Sequence, residues 1–311
     1  MLTLVCGLED EAPVALLLQS LRKSRADFLL LDQRQLADHV QLRWQVTNSG
    51  LAGHLRVGEK TIDIREIRSV YHRFVNPEDV PESDTSPQAL GKARSALHSL
   101  MNLLDILPAR VVNRRRPMMS NNSKPYQALL IRDAGFAIPE TLITNDPPSL
   151  LSFAVSTGPL IYKSISSTRS IVAPFDPACR DKIDSLHLLP TQFQRKIEGL
   201  NLRVHVVGRK AFATRIVTSA TDYRYAAQDG VPASLSHYEL TVDLRERCLR
   251  LARMLELPFA GIDLIISAGA AYCLEVNPSP GYNYYQEATG QPISDALAEY
   301  LTRSPSRAAR G

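Results

Sequence analysis

Three oxygen-bearing side chains towards the end of the sequence have types and spacing that suit a hard metal ion. Asp263 lies in the apolar run 259–266, and Glu275 and Asn277 lie in a second run over 272–277. Ser267-Ala-Gly-Ala between the runs reads as a hairpin turn. Side chains alternate along a strand, so Asp263 can face the same side of a sheet as Glu275 and Asn277. Two carboxylates and an amide oxygen, followed by Pro278 and Gly281, are the donors that a phosphate-bearing divalent cation takes. The spacing alone also fits acids at strand edges with no function, so the rest of the chain has to decide.

A chain of 311 residues with 44% hydrophobic content is long enough for two or three compact domains. The net charge of +4 is mild, and the one dense basic run, Arg114-Arg115-Arg116, reads as a solvated linker; no nucleic-acid partner is expected. Cys6, Cys179, Cys248 and Cys273 never form a close pair, which suits buried free thiols in a reducing compartment. No apolar run approaches the roughly 20 residues that cross a bilayer. Met1-Leu-Thr-Leu-Val starts a strand at once without a basic leader. These features predict a cytoplasmic enzyme with no membrane association.

Residues 1–115 read as a small α/β domain. Strands at 2–6 and 28–31 flank a helix over 12–22, a hairpin turns at Gly58 and Glu59, and a strand over 67–71 ends on His72 and Arg73. That strand end is where open α/β sheets place ligand contacts, and His72 and Arg73 are expected to help hold the substrate. A long helix over 87–107 and a strand over 109–112 complete the domain. Gly7-Leu-Glu-Asp-Glu-Ala is not a dinucleotide fingerprint. Residues 116–189 form a second unit, whose first helix opens at Asn122-Ser-Lys124-Pro125 and closes near Gly135, and whose strand 159–163 ends on Lys163. Residues 190–303 form a third unit. Its strands are expected at 193–197, 202–207 and 211–216, followed by a loop over 219–236, a helix over 242–255, the acid-bearing hairpin and a closing helix over 293–301. Residues 304–311 read as a flexible tail.

Taken in order, these segments resemble an ATP-grasp ligase. They are Asn122-Ser-Lys124 through Thr141, Ile161-Tyr-Lys163, Phe193-Gln194 through Val204, Val207-Gly208, Thr221-Asp222-Tyr223-Arg224, Gly261-Ile-Asp263 and Glu275-Val-Asn277-Pro278. The resemblance is to the subgroup that holds ribosomal-protein glutamate ligases and microviridin-type peptide ligases. It implies an α/β (α+β ATP-grasp) fold, in which an N-terminal pre-grasp α/β domain precedes two α+β domains that clasp ATP. The implied cofactors are ATP and Mg2+, as two ions with Mn2+ able to substitute, held by Asp263, Glu275 and Asn277. Lys124 and Lys163 are implied to contact phosphates, with Ser167 in the following loop, and Gln194, Arg195, Lys196 and Ile197 to pass the adenine edge.

Arg203, Arg215 and Arg224 are the cationic candidates at the reacting centre; Arg203 and Arg215, on adjacent strands, are expected to share the cleft. His205 reads as a hydrogen-bonded wall residue, and Tyr282, Asn283, Tyr284 and Tyr285 as either acceptor-pocket lining or core cover. The implied reaction activates a carboxylate as an acyl phosphate and joins it to an amine or hydroxyl. Its partners are then a carboxylate substrate and an acceptor from an amino acid, peptide or protein, and a homo-oligomer is allowed. A second reading stays open, because residues 164–170 lack the glycine usual in that family's phosphate loop: a nucleotide-binding regulatory or scaffold protein with weak or no turnover.

Overall fold

The computed structural model describes residues 1–163, 172–178, 183, 185–218 and 233–304. Its first sheet grows from apolar runs. The chain forms β1 (Leu2–Gly7), α1 (Ala12–Lys23), β2 (Phe28–Asp32), β3 (Val40–Thr47), β4 (Gly50–Val57), β5 (Lys60–Asp63), β6 (Ile67–His72), α2 (Pro87–Ile106) and β7 (Arg110–Val112). Strands β2-β1-β6-β7 lie in that order with every pair parallel. All six residues of β1 are buried, as expected of a parallel strand covered on both faces. Strands β3, β4 and β5 make a separate antiparallel sheet whose Leu55, Val57 and Ile62 join the core under α2. The basic run after β7 is not a solvated linker throughout. Arg114 donates to the carbonyls of Leu104, Asp105, Leu107 and Ala109, meeting the acceptors that the end of α2 leaves open.

After a short α3 (Arg115–Met118) comes α4 (Lys124–Asp133), capped by the Ser123 side chain, which accepts from the Tyr126 N–H. Strand β8 (Thr141–Thr144), α5 (Pro147–Thr157), β9 (Leu160–Lys163), β10 (Ala173–Pro174) and β11 (Thr191–Arg195) follow, with sheet order β10-β9-β11-β8. Strand β11, grouped by the sequence with the third unit, pairs antiparallel with both β8 and β9 and so belongs to this central sheet. Among the described residues the central core is formed by Leu150, Leu160, Leu186 and Phe193.

The third sheet contains β12 (Leu200–Val207), β13 (Lys210–Val217), β14 (Ser234–Tyr238), β15 (Phe259–Ser267) and β16 (Ala270–Asn277), in order β14-β13-β12-β15-β16 and antiparallel throughout. Strand β14 falls where a loop was expected. Helix α6 (Val242–Met254) covers one face, together with Ile131, Ala134 and Phe136 from the α4 segment. Helix α4 therefore packs with this sheet rather than with the central one. On the other face lie α7 (Asn283–Thr289) and α8 (Ile293–Thr302). There Val207, Phe259, Tyr282 and Leu297 share a core with Val5, Leu17, Leu18 and Tyr71 of the N-terminal domain. Among the described residues, no helix is long and apolar enough to cross a membrane.

Candidate active site

Strands β15 and β16 bring the two acids face to face: Asp263 pairs with Glu275, and Gly261 with Asn277. Simple alternation does not produce this arrangement. The register shifts between Asp263 and Leu264, so that Leu264 pairs with Cys273 and Leu274 is the extra residue of a bulge. As a result Cys273 and Val276, three residues apart, both enter the helix-side core. Leu274 and Glu275, adjacent in sequence, both reach the opposite side, where Leu274 lines a cleft and Glu275 meets Lys124. Asn277 turns its amide oxygen to the Ser279 N–H at 2.9 Å.

Each acid has a buried cation. Arg203 Nη1 lies 2.8 and 2.7 Å from the two oxygens of Asp263, and both residues are about 5–6% exposed. Lys124 Nζ stands 3.5 Å from Glu275 Oε2. Burying either charge alone would be costly, so the pairs are a condition of placing acids here at all. Gly261 makes room for the arginine: a Cβ there would sit 2.3 Å from Arg203 Nη2 and 2.6 Å from its Cζ. The guanidinium also lies over the Tyr285 ring, 5.8 Å from its centroid.

Next along β12, His205 is fully buried and its Nε2 is 3.2 Å from the Gly281 carbonyl. Burial, with Arg203 beside it, holds His205 well below the ordinary histidine value, so it is a neutral wall donating Nε2–H, not a base. The tyrosine run divides. Tyr282 is core and donates to the Pro13 carbonyl, Tyr285 faces His205, and Tyr284 is exposed.

Arg215 does not share the cleft with Arg203. In the β12–β13 ladder Arg203 is opposite Thr214, and Arg215 is opposite Leu202, whose side chain enters the helix-side core. Directly opposed side chains share a face, so Arg215 projects from the other side of the sheet, where it is exposed. Arg224 and Ser167 lie outside the described residues.

A cleft of about 420 Å³ opens between the central sheet and α4. Lys124 and Lys163 line it along with Ile138, Leu274, Gln192 and Gln194, a mixture of apolar walls and a few polar groups typical of a small-molecule site. Lys163, at the end of β9, is buried. Gln194 donates to Thr141 Oγ1 at 3.0 Å. The neighbouring residues serve differently from expectation. Alternation sends Phe193 into the central core, and the exposed Arg195 follows it away from the cleft. The N–H groups of Arg195 and Lys196 donate to the Glu140 and Pro159 carbonyls, which leaves only their carbonyls for a base. Neither of these residues nor Ile197 lines the cleft; Gln192 and Leu274, which the sequence reading missed, do.

The N-terminal domain braces this site from behind. Arg73 donates to Glu11 at 2.5 Å and to the Ser279 carbonyl at 2.9 Å. His72, buried, bonds the Asn113 carbonyl. The Asn113 amide in turn donates to the Phe259 and Pro278 carbonyls and accepts from the Phe259 N–H. His72 and Arg73, expected to touch substrate, instead tie their domain to the ends of the acid-bearing hairpin.

Among the described residues no group of three or more His, Cys, Asp or Glu is placed to hold a metal; the set here is two acids and an amide. The two carboxylates face one another across a ladder, are charge-balanced by Lys124 and Arg203, and border a lysine-lined cleft. This donor set fits an ion that arrives bearing phosphates and not one held by protein alone.

A small sheet and a larger one, with Lys124 and Lys163 lining a cleft beside the small sheet and the opposed acids Asp263 and Glu275 carried by the larger, make the arrangement of an ATP-grasp protein. The chain belongs to the RimK-like ATP-grasp family, whose domain it matches over residues 121–301, more than half its length. It is similar to the probable alpha-L-glutamate ligase of Alkalilimnicola ehrlichii, 25% identical over 217 residues, covering 66% of this chain and 71% of that protein. It is also similar to the ribosomal protein bS6–L-glutamate ligase of Salmonella paratyphi B, 28% identical over 187 residues, 56% of this chain and 61% of that one. The macrocyclase MdnC of Microcystis aeruginosa, solved with its precursor peptide, shares the fold at a TM-score of 0.80 and 21% identity over 98% of this chain and 100% of that one. The ATP-grasp ligase PsnB, solved with a precursor variant, Mg and ADP, does so at 0.79 and 22%, over 96% and 97%.

Proposed function

We propose that this protein is an ATP- and magnesium-dependent ligase that joins a carboxylate to an amine or hydroxyl on an amino acid, peptide or protein. The observation that carries this reading is the opposed Asp263–Glu275 pair, each acid matched to a buried cation, beside the cleft lined by Lys124 and Lys163. Lys124 and Lys163 hold the nucleotide phosphates, while Leu274, Ile138 and Gln194 receive the base. Asp263, Glu275 and Asn277 hold two magnesium ions, for which Mn2+ substitutes. When bound, these ions would offset the charge that develops on the phosphates during transfer.

The substrate carboxylate attacks the terminal phosphorus and ADP leaves. The acceptor then attacks the acyl carbon, phosphate departs, and the acceptor gives up its proton. Arg203, anchored on Asp263 and Tyr285, is the cation proposed to offset the charge of the transferring phosphoryl group. Glutamate ligases and precursor-peptide ligases among the relatives support an amino-acid or peptide substrate. The ligases among the relatives favour turnover over the nucleotide-binding regulatory or scaffold alternative. Hydroxylamine trapping tests the reading: ADP release with a carboxylate panel that yields a hydroxamate supports it, and nucleotide binding with no trapped acyl group across the panel sinks it.

A further inference from the structure

Strand β16 is the edge of its sheet, and the bulge at Leu274 loosens its pairing with β15 just before Glu275. A one-residue slip here would send Glu275 and Asn277 into the apolar side, because side-chain direction alternates with every residue. The outer edge of β16 is closed in two places. Ala137 donates to the Ala271 carbonyl and accepts from the Cys273 N–H, ahead of the bulge. Beyond the bulge, one side chain does the same work: Gln127 Nε2 donates to the Val276 carbonyl at 2.9 Å, and the Val276 N–H donates to Gln127 Oε1 at 2.8 Å. Gln127 is 2% exposed. Its amide satisfies both backbone groups of one residue, as a neighbouring strand would, and that residue lies between Glu275 and Asn277.

We infer that Gln127 is a positioning residue for the metal site: it fixes the register of β16 past the bulge so that Glu275 and Asn277 present together. Lys124, one turn earlier on α4, meets Glu275, so a single helix face sets both the charge and the alignment of this strand. The inference rests on the magnesium reading of Asp263, Glu275 and Asn277. Gln127 touches neither nucleotide nor metal, and acts only through the backbone of Val276.

The test measures Mn2+ binding by electron paramagnetic resonance at saturating ADP, and ADP binding without metal, for wild type, Gln127→Met and Gln127→Glu. The amide clamp predicts that Gln127→Met weakens Mn2+ at least tenfold while metal-free ADP affinity stays within twofold. It also predicts that high Mg2+ restores turnover and that the Val276 amide exchanges faster. Gln127→Glu keeps an acceptor for the Val276 N–H but sets a carboxylate against the Val276 carbonyl; it is expected to show the same split, and it carries the test if the methionine variant does not fold. A folded variant with wild-type Mn2+ affinity overturns the inference while leaving the metal site intact. Wild type that binds no Mn2+ with ADP, or binds it equally after Glu275→Gln, overturns the metal reading itself and the inference with it.

Discussion

Gly261→Ala isolates the contribution of Arg203 without touching Arg203. The added methyl carbon would lie 2.3 Å from Nη2, 2.6 Å from Cζ and 2.8 Å from Nε of Arg203, so the guanidinium has to leave its seat. The glycine is not in the left-handed region, so alanine meets no backbone strain and the effect is steric. Losing the charge-assisted contact to Asp263 costs about 1.5–3 kcal/mol, while alanine's more restricted unfolded chain returns about 0.4–1 kcal/mol. The net loss of stability is therefore about 0.5–2.6 kcal/mol, small enough for the protein to stay folded at 25 °C. On the proposed role of Arg203 at the reacting centre, turnover is hit harder than stability. A loss of about 1.5–3 kcal/mol in the transition state corresponds to roughly 10- to 150-fold in rate. Thermal unfolding and substrate-dependent ADP release on the same sample separate the two effects. A folded Gly261→Ala protein with wild-type turnover would show that the position of Arg203 does not matter to the reaction.

Three further outcomes are expected. Glu275→Gln keeps the circular dichroism of the wild type and loses nearly all phosphate release, since it removes a proposed metal donor; a folded variant at wild-type rate refutes that role. Arg114→Met abandons four carbonyls at the end of α2 and lowers stability by about 2–4 kcal/mol, read as a lower urea midpoint. Stability also falls on acidification. Burial lowers the pKa of His72 and His205, so below about pH 6.5 the unfolded chain binds protons that the native state does not. Their stabilisation is whole above that pH and declines below it by up to about 1.4 kcal/mol per unit for each histidine; His205→Gln should flatten the slope measured by denaturant titration at pH 5.5 and 7.5.

Asp263, Glu275 and Asn277 were legible because acids inside apolar runs are rare and their spacing suits a hairpin. The bulge between them was not, since Tyr272-Cys-Leu-Glu carries no glycine or proline to mark it. The error over Arg215 was avoidable. A two-residue turn at Gly208 and Arg209 pairs Val207 with Lys210, and counting back along the ladder sets Arg203 against Thr214, which leaves Arg215 on the other face. Strand β3 had a usable signal in Val40, Leu42 and Trp44, which alternate and pack on the core. The placement of β11 and α4 had none, because each is decided by distant partners. That Lys124 and Gln127 share a face lying on β16 shows only once the sheet is assembled. Arg114 read as solvated because nothing local shows that the chain folds back to bring it onto the carbonyls at the end of α2.

The central claim is that Asp263, Glu275 and Asn277 hold the cations that carry the nucleotide's terminal phosphates. Anomalous diffraction from crystals grown with Mn2+ and a non-hydrolysable ATP analogue addresses it directly. The account predicts a manganese peak within about 2.0–2.3 Å of oxygens from these side chains and of phosphate oxygens. Nucleotide bound in the cleft with its manganese held by other residues, or with none, would contradict it.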